Sequence, residues 1–423
     1  MLRMRIQALA GALLAASLAA APALGQSADY TGSITSVAPR TAIAGKLATR
    51  TEIVADRGLA AMVTAGSREA MEASIAMYEE IVAGGGWPSL SGKNLKLGAS
   101  GPDVLLLRQR LVTENYLPFE SLMAERADVF DDAMLGAVMA FQTNHGVAAT
   151  GFVGERTRAE LNITARARLF TLRENLPRIE AYMADLGRRA ILVNIPSAQL
   201  ETVEEGRVYS RHNIVAGKLE RPTPALVSTV SDVTFSPYWK APASIVERDI
   251  IPRYLEDPNY LEQMGIRVFD GTDGPEIDPA TVDWSVTPPD RYFFRQDPGA
   301  HNALATVKIN FPNAFMVYMH DTPHRELFAS NARYESSGCV RVEEVKAVVN
   351  WILRGQEDYN AAEFDDIVAN REPYELKVQA PPSVRFMYLT AWATEDGVVN
   401  FRPDIYGLDG TNFVLGQPEP RGF

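Results

Sequence analysis

Cysteine is almost absent from this sequence: Cys339 is the single cysteine among 423 residues. One cysteine cannot form a disulfide within its own chain, so Cys339 is a free thiol. Free cysteines are often buried and behave as small hydrophobic residues. The alternative is a reactive thiol, and the residues around Cys339 decide between these two interpretations.

Basic residues are in the minority. The 41 lysines and arginines are outnumbered by 53 aspartates and glutamates, which gives a formal net charge of −12. Such an acidic chain is a poor candidate for binding nucleic acid, because phosphates attract basic surfaces. With 46% hydrophobic residues, the chain is long and apolar enough for two or three folded domains.

The apolar run of residues 8–18 lies near the N-terminus. Arg3 and Arg5 precede it and small residues at 21–25 follow, which is the pattern of a cleavable signal peptide. The run is shorter than the about 20 apolar residues of a membrane-spanning helix. Residues 1–25 are therefore predicted to be a signal peptide, and the exported protein should not span the membrane after cleavage. An uncleaved anchor is the alternative.

The sequence around the single cysteine favours a reactive thiol. Ser336, Ser337 and Gly338 form a turn of small residues that can bring backbone N–H groups close to a reacting carbonyl. The apolar spacing of 342–353 predicts an amphipathic helix, which would place Cys339 near a helix N-terminus and lower the pKa of its thiol. Export strengthens this interpretation, because an oxidising compartment pairs or damages thiols that have no function.

A thiol nucleophile needs a base, and the best candidate is His320. The β-prone run 315–319 precedes it and is predicted to be a buried strand, and Asp321 begins a turn. The intervening loop can bring His320 back to Cys339, where it would act as general base. The remaining histidines are His145, His212, His301 and His324.

These two stretches together resemble a known signature. His320-Asp-Thr-Pro followed by Ser336-Ser-Gly-Cys-Val-Arg341 is similar to the active-site signature of the L,D-transpeptidases with a YkuD-type catalytic domain, and most of all to their large periplasmic branch. That branch has a serine, here Ser337, where smaller relatives have a histidine directly before the Gly-Cys pair. His320 is therefore the only histidine that can be matched to a family histidine.

A second resemblance covers residues 95–163, which are similar to a small helical peptidoglycan-binding domain. Val104, Leu107 and Leu111 share one predicted helix face, and Val138 and Phe141 share another, which gives a compact core. Further matching features are Leu97-Gly98, Asp103, Arg110, Phe130-Asp131, Gln142, His145-Gly146 and Thr150-Gly151. His145 is interpreted as structural, because no partner has the spacing of a metal ligand.

The expected fold class is multidomain α+β. Hairpin signals after residue 189 predict a β-rich domain, and the segment rich in proline and aromatic residues at about 237–300 predicts a capping subdomain inserted into it. The predicted division is a signal peptide at 1–25, a helical scaffold at 26–94, a peptidoglycan-binding-like domain at 95–163, a returning scaffold helix at 164–188, the YkuD-type catalytic domain at 189–376 and a C-terminal segment at 377–423.

The resemblance implies a two-step acyl transfer in the periplasm. The Cys339 thiolate, formed with His320 as base, attacks a tetrapeptide stem of peptidoglycan, D-Ala leaves, and a thioester remains. An amine of a second stem then resolves the thioester and forms a 3→3 crosslink. Carbapenems are expected to acylate the same thiol. No cofactor is implied, and no metal constellation is present in the sequence.

The resemblance also implies roles for neighbouring residues. Backbone N–H groups of Gly338 and Cys339, in the same turn as Ser337, would hold the oxyanion, with the Tyr318 hydroxyl as a third donor. The imidazole would be oriented by a backbone carbonyl near Asp321 or by the Asp321 side chain. Arg341 would bind a substrate carboxylate or brace the loop.

Three alternatives remain open. The same thioester could serve an L,D-carboxypeptidase or endopeptidase, D-amino-acid exchange, or attachment of a lipoprotein to the wall. The chain could instead be a non-catalytic wall-binding or scaffold protein. A cysteine peptidase of another type would cleave ordinary peptide bonds between L-residues.

Overall fold

The computed structural model describes residues 52–53, 59–90, 92–330 and 332–419. The signal peptide predicted at 1–25 lies outside the described residues, as does the first part of the segment predicted at 26–94. Within the described ranges, no helix combines the length and the apolar character needed to cross a membrane.

The N-terminal half is helical. Its main helices are α1 (Ser67–Ala83), α2 (Pro102–Thr113), α3 (Asp132–Asn144), α4 (Glu155–Leu161) and α5 (Ala165–Met183), with a 3₁₀ turn at Phe119–Met123. Helix α1 buries Met71, Ser74 and Tyr78, which are spaced for one face, and it ends where Gly85 and Gly86 adopt positive φ angles.

Helices α2 to α4 enclose a hydrophobic core of their own. Val104, Leu107 and Leu111 from α2 are fully buried, and Val138 and Phe141 from α3 pack against them. The Asp131 carboxylate caps α3 by accepting a hydrogen bond from the Met134 N–H. The predicted core of the peptidoglycan-binding-like region is therefore confirmed.

Helix α5 runs through Pro177 without ending there. Buried polar contacts hold the helix on both sides of this proline. Asn175 bonds to Thr390 at 2.7 Å, and Arg178 pairs with Asp409 at 2.7 Å. These contacts oppose the destabilising effect of an internal proline.

The second half is built on one large sheet. Its strands are β1 (Glu52–Ile53), β2 (Arg189–Asn194), β3 (Gln199–Glu204), β4 (Arg207–Gly217), β5 (Leu226–Thr229), β6 (Asp232–Phe235), β10 (Val307–Asn310), β11 (Met319–His320), β12 (Tyr334–Ser336), β13 (Val340–Val342), β14 (Tyr374–Lys377) and β15 (Ser383–Met387). The main order is β14-β6-β10-β11-β13-β4-β3-β2-β15-β5, and β1 and β12 pair with β4. Most neighbours are antiparallel, but β13 is parallel to β11, β12 to β4 and β15 to β2.

A separate small body is inserted between β6 and β10. It consists of the strands β7 (Trp239–Lys240), β8 (Ile266–Phe269) and β9 (Phe293–Gln296), of continuous helical turns at Ala243–Ile245, Val246–Ile250 and Ile251–Glu256, of a short helix at Tyr260–Gln263, and of 3₁₀ turns at Pro279–Thr281 and Pro289–Arg291. Val246, Leu261, Trp284 and Phe294 form its own core. We call this insertion the cap.

The remaining elements are the 3₁₀ turns Arg325–Ala329 and Ala361–Glu363, the helices α6 (Val345–Ile352) and α7 (Phe364–Ala369), and the hairpin of β16 (Ala391–Ala393) and β17 (Val399–Phe401). Together with the helical N-terminal half and the cap, they complete a multidomain α+β molecule centred on a β-rich sheet. The predicted fold class is confirmed.

Two local predictions near the site are wrong. The run 315–319 is a turn for most of its length, because the Asn313 side chain accepts hydrogen bonds from the N–H groups of Phe315 and Val317 and replaces ladder pairing. Met316 there has a φ of 57° and is 83% exposed. The helix predicted at 342–353 begins only at Val345, because the β-branched residues 340–342 form strand β13 between β11 and β4.

Candidate active site

Cys339 lies in the tight turn between β12 and β13. Gly338 has a φ of 108°, a conformation that side chains rarely adopt, so glycine is required there. The buried Ser336 hydroxyl fixes the turn: it accepts a hydrogen bond from the Gly338 N–H at 3.2 Å and donates to the Cys339 carbonyl at 2.5 Å. The Gly338 N–H, predicted to hold an oxyanion, thus points to Ser336 in this structure.

The Cys339 thiol is half-buried and faces Tyr318. Both the backbone N–H and the hydroxyl of Tyr318 donate hydrogen bonds to its sulfur. Burial raises the pKa of the thiol, while these hydrogen bonds and the charges of Lys308 and Arg341 oppose the increase. The expectation that a helix N-terminus lowers this pKa is wrong, because a strand follows Cys339.

His320 ends β11 and is buried. Its Nδ1 donates a hydrogen bond to the Asp321 backbone carbonyl at 2.5 Å, so Nε2 is the nitrogen that can accept a proton. The Asp321 side chain points elsewhere and accepts a hydrogen bond from the Thr306 hydroxyl at 2.6 Å. The sequence suggested either the Asp321 carboxylate or a nearby backbone carbonyl as the group that orients the imidazole. In the structure it is the Asp321 backbone carbonyl.

Burial, together with the charges of Arg341 and Lys308, lowers the pKa of His320 to about 3. At neutral pH the resting pair is therefore a neutral thiol and a neutral imidazole. Within the described part of the chain, no hydrogen bond joins His320 to Cys339. The two residues lie on neighbouring strands, where His320 is in register with Arg341 and Met319 with Val340. Such contacts often form only when substrate is bound.

Two cations flank His320 across the sheet. Lys308 on β10 and Arg341 on β13 are its direct cross-strand partners. The Lys308 ammonium also lies over the Tyr318 ring, 4.3 Å from the ring centroid. Sequence reasoning missed Lys308. The available signal was a single lysine between Val307 and Ile309, which in a strand points to the opposite face from its apolar neighbours.

Ser337 connects the cysteine turn to the cap. Its hydroxyl accepts a hydrogen bond from Arg221 at 2.9 Å, and Arg221 forms an ion pair with Asp249 of the cap at 2.6 Å. The C-terminal segment supports the loop that carries Arg221, because the Tyr406 hydroxyl donates to the Gly217 carbonyl at 2.6 Å. Sequence reasoning did not assign this role to Arg221, since a contact between residues 116 positions apart leaves no local signal.

The two tryptophans of the cap have different surroundings. Trp284 is buried in the cap core and donates to the Pro279 carbonyl at 2.9 Å, as expected for a packing residue. Trp239 also packs against that core, but its indole N–H donates to the Tyr318 hydroxyl. The cap therefore reaches the thiol through a chain of hydrogen bonds from Trp239 to Tyr318 to Cys339.

The other four histidines lie away from Cys339. His145 and His212 are buried, and each forms a hydrogen bond from Nδ1 to a backbone carbonyl. His301 and His324 are exposed, and His324 contacts Glu326. In the described ranges, no group of three or more His, Cys, Asp or Glu side chains has the geometry to hold a metal ion.

Comparison with known proteins agrees with this architecture. Residues 188–360 match the family model described as "L,D-transpeptidase catalytic domain" (YkuD), and residues 100–161 match "Putative peptidoglycan binding domain". Residues 188–360 are thus similar to a YkuD-type L,D-transpeptidase catalytic domain and residues 100–161 to a domain of the peptidoglycan-binding type, as the signature residues suggested.

A curated relative from Haemophilus influenzae, named "Putative L,D-transpeptidase", is 34% identical over 220 residues, which are 52% of this chain and 44% of the relative. The chain thus spans less than half the length of that relative.

Two solved structures have a lower sequence identity to this chain. An L,D-transpeptidase from Xylanimonas cellulosilytica is 17% identical with a TM-score of 0.22, and the match covers 70% of this chain and 98% of that one. One from Stackebrandtia nassauensis is 12% identical with a TM-score of 0.24, and the match covers 71% and 96% of the two chains.

Proposed function

We propose that this protein is a peptidoglycan L,D-transpeptidase that forms 3→3 crosslinks through a thioester on Cys339. The observation that carries the proposal is the arrangement around the only thiol of the chain. Tyr318 donates two hydrogen bonds to the sulfur, and the neighbouring His320 is held by the Asp321 carbonyl with Nε2 free to take a proton. The match of residues 188–360 to the L,D-transpeptidase catalytic family supports the same reaction.

In the first step, His320 Nε2 takes the thiol proton as the sulfur attacks the carbonyl of the third stem residue. Because the thiol and the imidazole are both neutral at rest, the proton moves together with the attack. The Tyr318 hydroxyl, released from sulfur as the S–C bond forms, donates to the developing oxyanion, with the N–H of Cys339 as a second donor.

Collapse of the tetrahedral intermediate then breaks the C–N bond. The protonated His320 returns the proton to the leaving nitrogen, D-Ala departs, and the thioester remains. The amine of a second stem attacks this thioester, gives a proton to His320, and displaces the sulfur as a thiolate. The thiolate then takes that proton from His320, which restores the neutral thiol and imidazole. One amide bond is broken and one is formed, so the transfer needs no external energy source, metal or cofactor.

The substrate implies the place of action. Stem peptides of the wall lie outside the cytoplasm, so we propose that the protein works in the periplasm after removal of residues 1–25. The peptidoglycan-binding-type domain at 100–161 would then hold the enzyme near its substrate.

Intact-protein mass spectrometry tests the thioester. The wild-type protein and Cys339→Ala are incubated in separate reactions with meropenem, whose strained carbonyl can acylate a thiol, and with purified disaccharide-tetrapeptide. We expect a covalent meropenem adduct on the wild type alone, and in the second reaction D-Ala release and a crosslinked dimer, again with the wild type alone. Water as the only acceptor would indicate an L,D-carboxypeptidase. No adduct on folded protein would indicate a wall-binding scaffold.

A histidine pair tests the base. His320→Gln should lower the rate of acylation by about 10²- to 10⁴-fold, because proton transfer from the thiol is lost. The matched control is His324→Gln, which changes an exposed histidine in the following turn and should leave the rate unchanged. Equal effects of the two substitutions would contradict the assignment of His320.

A further inference from the structure

We propose that Lys308 forms the subsite that binds the carboxylate of the leaving residue, the C-terminal D-amino acid of the donor stem. This inference rests on the proposed function. It identifies the substrate group that the enzyme binds next to the scissile bond.

The first observation is the position of Lys308 in the sheet. Lys308 on β10 is the direct cross-strand partner of His320 on β11, which in turn is the partner of Arg341 on β13. Directly opposed residues share one face of a sheet, and neighbouring strands lie about 4.8 Å apart. Lys308, His320 and Arg341 therefore stand in one row on the face that carries the thiol.

The second observation is that this cation has no carboxylate partner. Among the described residues, no carboxylate oxygen lies within 4.0 Å of the Lys308 ammonium, although its side chain is half-buried. By contrast, the more exposed Lys346 and Lys377 each form an ion pair, with Asp365 at 2.8 Å and with Glu375 at 2.9 Å. A partly desolvated ammonium without a counter-ion is a binding site for an anion.

The carboxylates nearest to Lys308 are already engaged. Asp232 accepts hydrogen bonds from Ser231 at 2.6 Å and from Asn310 at 2.5 Å, and Glu375 pairs with Lys377. The contact that Lys308 does make is with the Tyr318 ring face, at 4.3 Å. This contact holds the ammonium beside the residue whose hydroxyl touches the sulfur.

The third step is the geometry of the substrate. The nitrogen of the leaving residue receives its proton from His320, so it must lie against that imidazole in the reacting complex. In an amino acid a single carbon separates this nitrogen from the carboxylate, so the carboxylate lies about one strand spacing from His320. Lys308 is the cation at that distance on the side of β10.

Arg341, on the opposite side of His320, is less suited to this anion. It lies on β13, which begins directly after Cys339, so it lies on the side of the acyl group that stays on the enzyme. Arg341 therefore remains the candidate for a carboxylate of the acyl part, and Lys308 for the carboxylate that leaves.

The test compares two donor substrates, the disaccharide-tetrapeptide and its C-terminal amide. Wild-type protein should prefer the free acid by about 10- to 100-fold in kcat/KM, the range expected of one charge-assisted hydrogen bond. Lys308→Met should lose this preference, so that the ratio of kcat/KM for the free acid to kcat/KM for the amide falls to about one. A rate change that both substrates share would reflect the loss of the Lys308 charge beside Cys339 and His320. Lys308→Arg should restore most of the preference. The matched control is Lys240→Met, which changes an exposed cation on strand β7 of the cap.

Binding to Cys339→Ala protein measures the subsite without turnover. Calorimetry should show tighter binding of the acid than of the amide, and Lys308→Met in this background should remove the difference. A preference for the acid that survives Lys308→Met overturns the subsite, and so does an equal loss on both substrates. If the Cys339→Ala proteins bind the two substrates as expected but the wild type releases no D-Ala, the subsite is upheld and the transpeptidase function is refuted.

Discussion

Two bodies are attached to the catalytic sheet, and they are attached in different ways. The helical domain meets the rest of the molecule through a buried seam formed by Tyr78, Trp87, Arg110, Glu114, His145 and Phe401. The cap meets it through the ion pair of Arg221 with Asp249 and the hydrogen bond from Trp239 to Tyr318. The first attachment is removed from solvent, and the second is partly open to it.

The seam combines charge with aromatic packing. The Arg110 and Glu114 side chains form an ion pair in which they are 1% and 2% exposed, and the Tyr78 hydroxyl donates to Glu114 at 2.5 Å. Arg110 stacks over the Trp87 ring at 3.4 Å. At the cap the corresponding exposures are 15% for Arg221 and 41% for Asp249.

The difference separates two tasks. The buried Arg110–Glu114 pair lies at one end of α2, and its contacts with the Tyr78 hydroxyl and the Trp87 ring join α2 to α1 and to the chain that follows α1. Breaking a buried pair is costly, so we expect the seam to matter more for stability. A partly exposed pair contributes little stability, and both contacts of the cap end on residues that touch Cys339 or its turn, so we expect the cap to matter more for chemistry. Four predictions test this division.

The largest expected effect comes from breaking the seam pair. Glu114→Ala leaves the Arg110 guanidinium buried without a counter-charge, which should lower the free energy of unfolding by about 3–5 kcal/mol. Urea denaturation measures it. The double variant Arg110→Met, Glu114→Leu should lose much less, because no unpaired charge remains. Equal losses in the single and double variants would mean that packing, not charge, holds the seam.

The seam should also be sensitive to acid through His145. This imidazole stacks on Phe141 at 3.8 Å and on Phe401 at 5.3 Å, and burial holds its pKa well below the usual value. The unfolded chain binds a proton below about pH 6.5 that the folded chain does not, so stability is full above that pH and decreases as the pH falls.

At pH 5 the loss from this one group should be about 2 kcal/mol relative to pH 7. His145→Phe should reduce the acid sensitivity of the unfolding free energy by that amount, whereas the exposed His324→Gln should not change it. If His145→Phe and wild type show the same slope against pH, another group carries the effect. His320 and His212, with pKa values lowered to about 3 and about 4, add to the slope in both proteins.

At the cap, Trp239→Phe should affect chemistry more than stability. It removes the indole N–H that orients the Tyr318 hydroxyl toward the sulfur, so acylation by meropenem should slow by about tenfold, less than the loss of a direct oxyanion donor. Stopped-flow fluorescence or mass spectrometry gives the rate. Trp284→Phe, in the cap core, is the control and should destabilise the cap with a smaller effect on the rate. The reverse order would place the cap outside the site.

The smallest effect is expected for Asp249→Asn. It weakens an exposed ion pair, so the free energy of unfolding should change by less than about 1 kcal/mol. Acylation should still slow by a factor of about three, because Arg221 also holds the Ser337 hydroxyl beside Cys339. A loss of stability comparable to that of Glu114→Ala would remove the distinction between the two attachments.

Motif and spacing predicted much of this molecule. Three local patterns agree with the structure: the small residues before Cys339, the histidine at a strand end, and the amphipathic faces of α1 and α2. Each is defined by residues only a few positions apart. The errors were local too. Asn313 replaced strand pairing with side-chain hydrogen bonds, and the β-branched residues 340–342 paired between two strands where a helix was expected. A local side chain decided the first case, and neighbouring strands, which a single sequence does not show, decided the second.

The sequence by itself determined the candidate groups of the site: one thiol, a histidine and a turn that requires glycine at Gly338, because these depend on residue type and on backbone angles fixed within a few positions. Only the tertiary structure decided the surroundings of that chemistry. Strand register placed Lys308 beside His320, and folding brought Arg221, Asp249 and Trp239 to the cysteine turn. The physical reason is that a pKa, an ion pair or a binding subsite depends on distance in space, and these groups are separated along the chain.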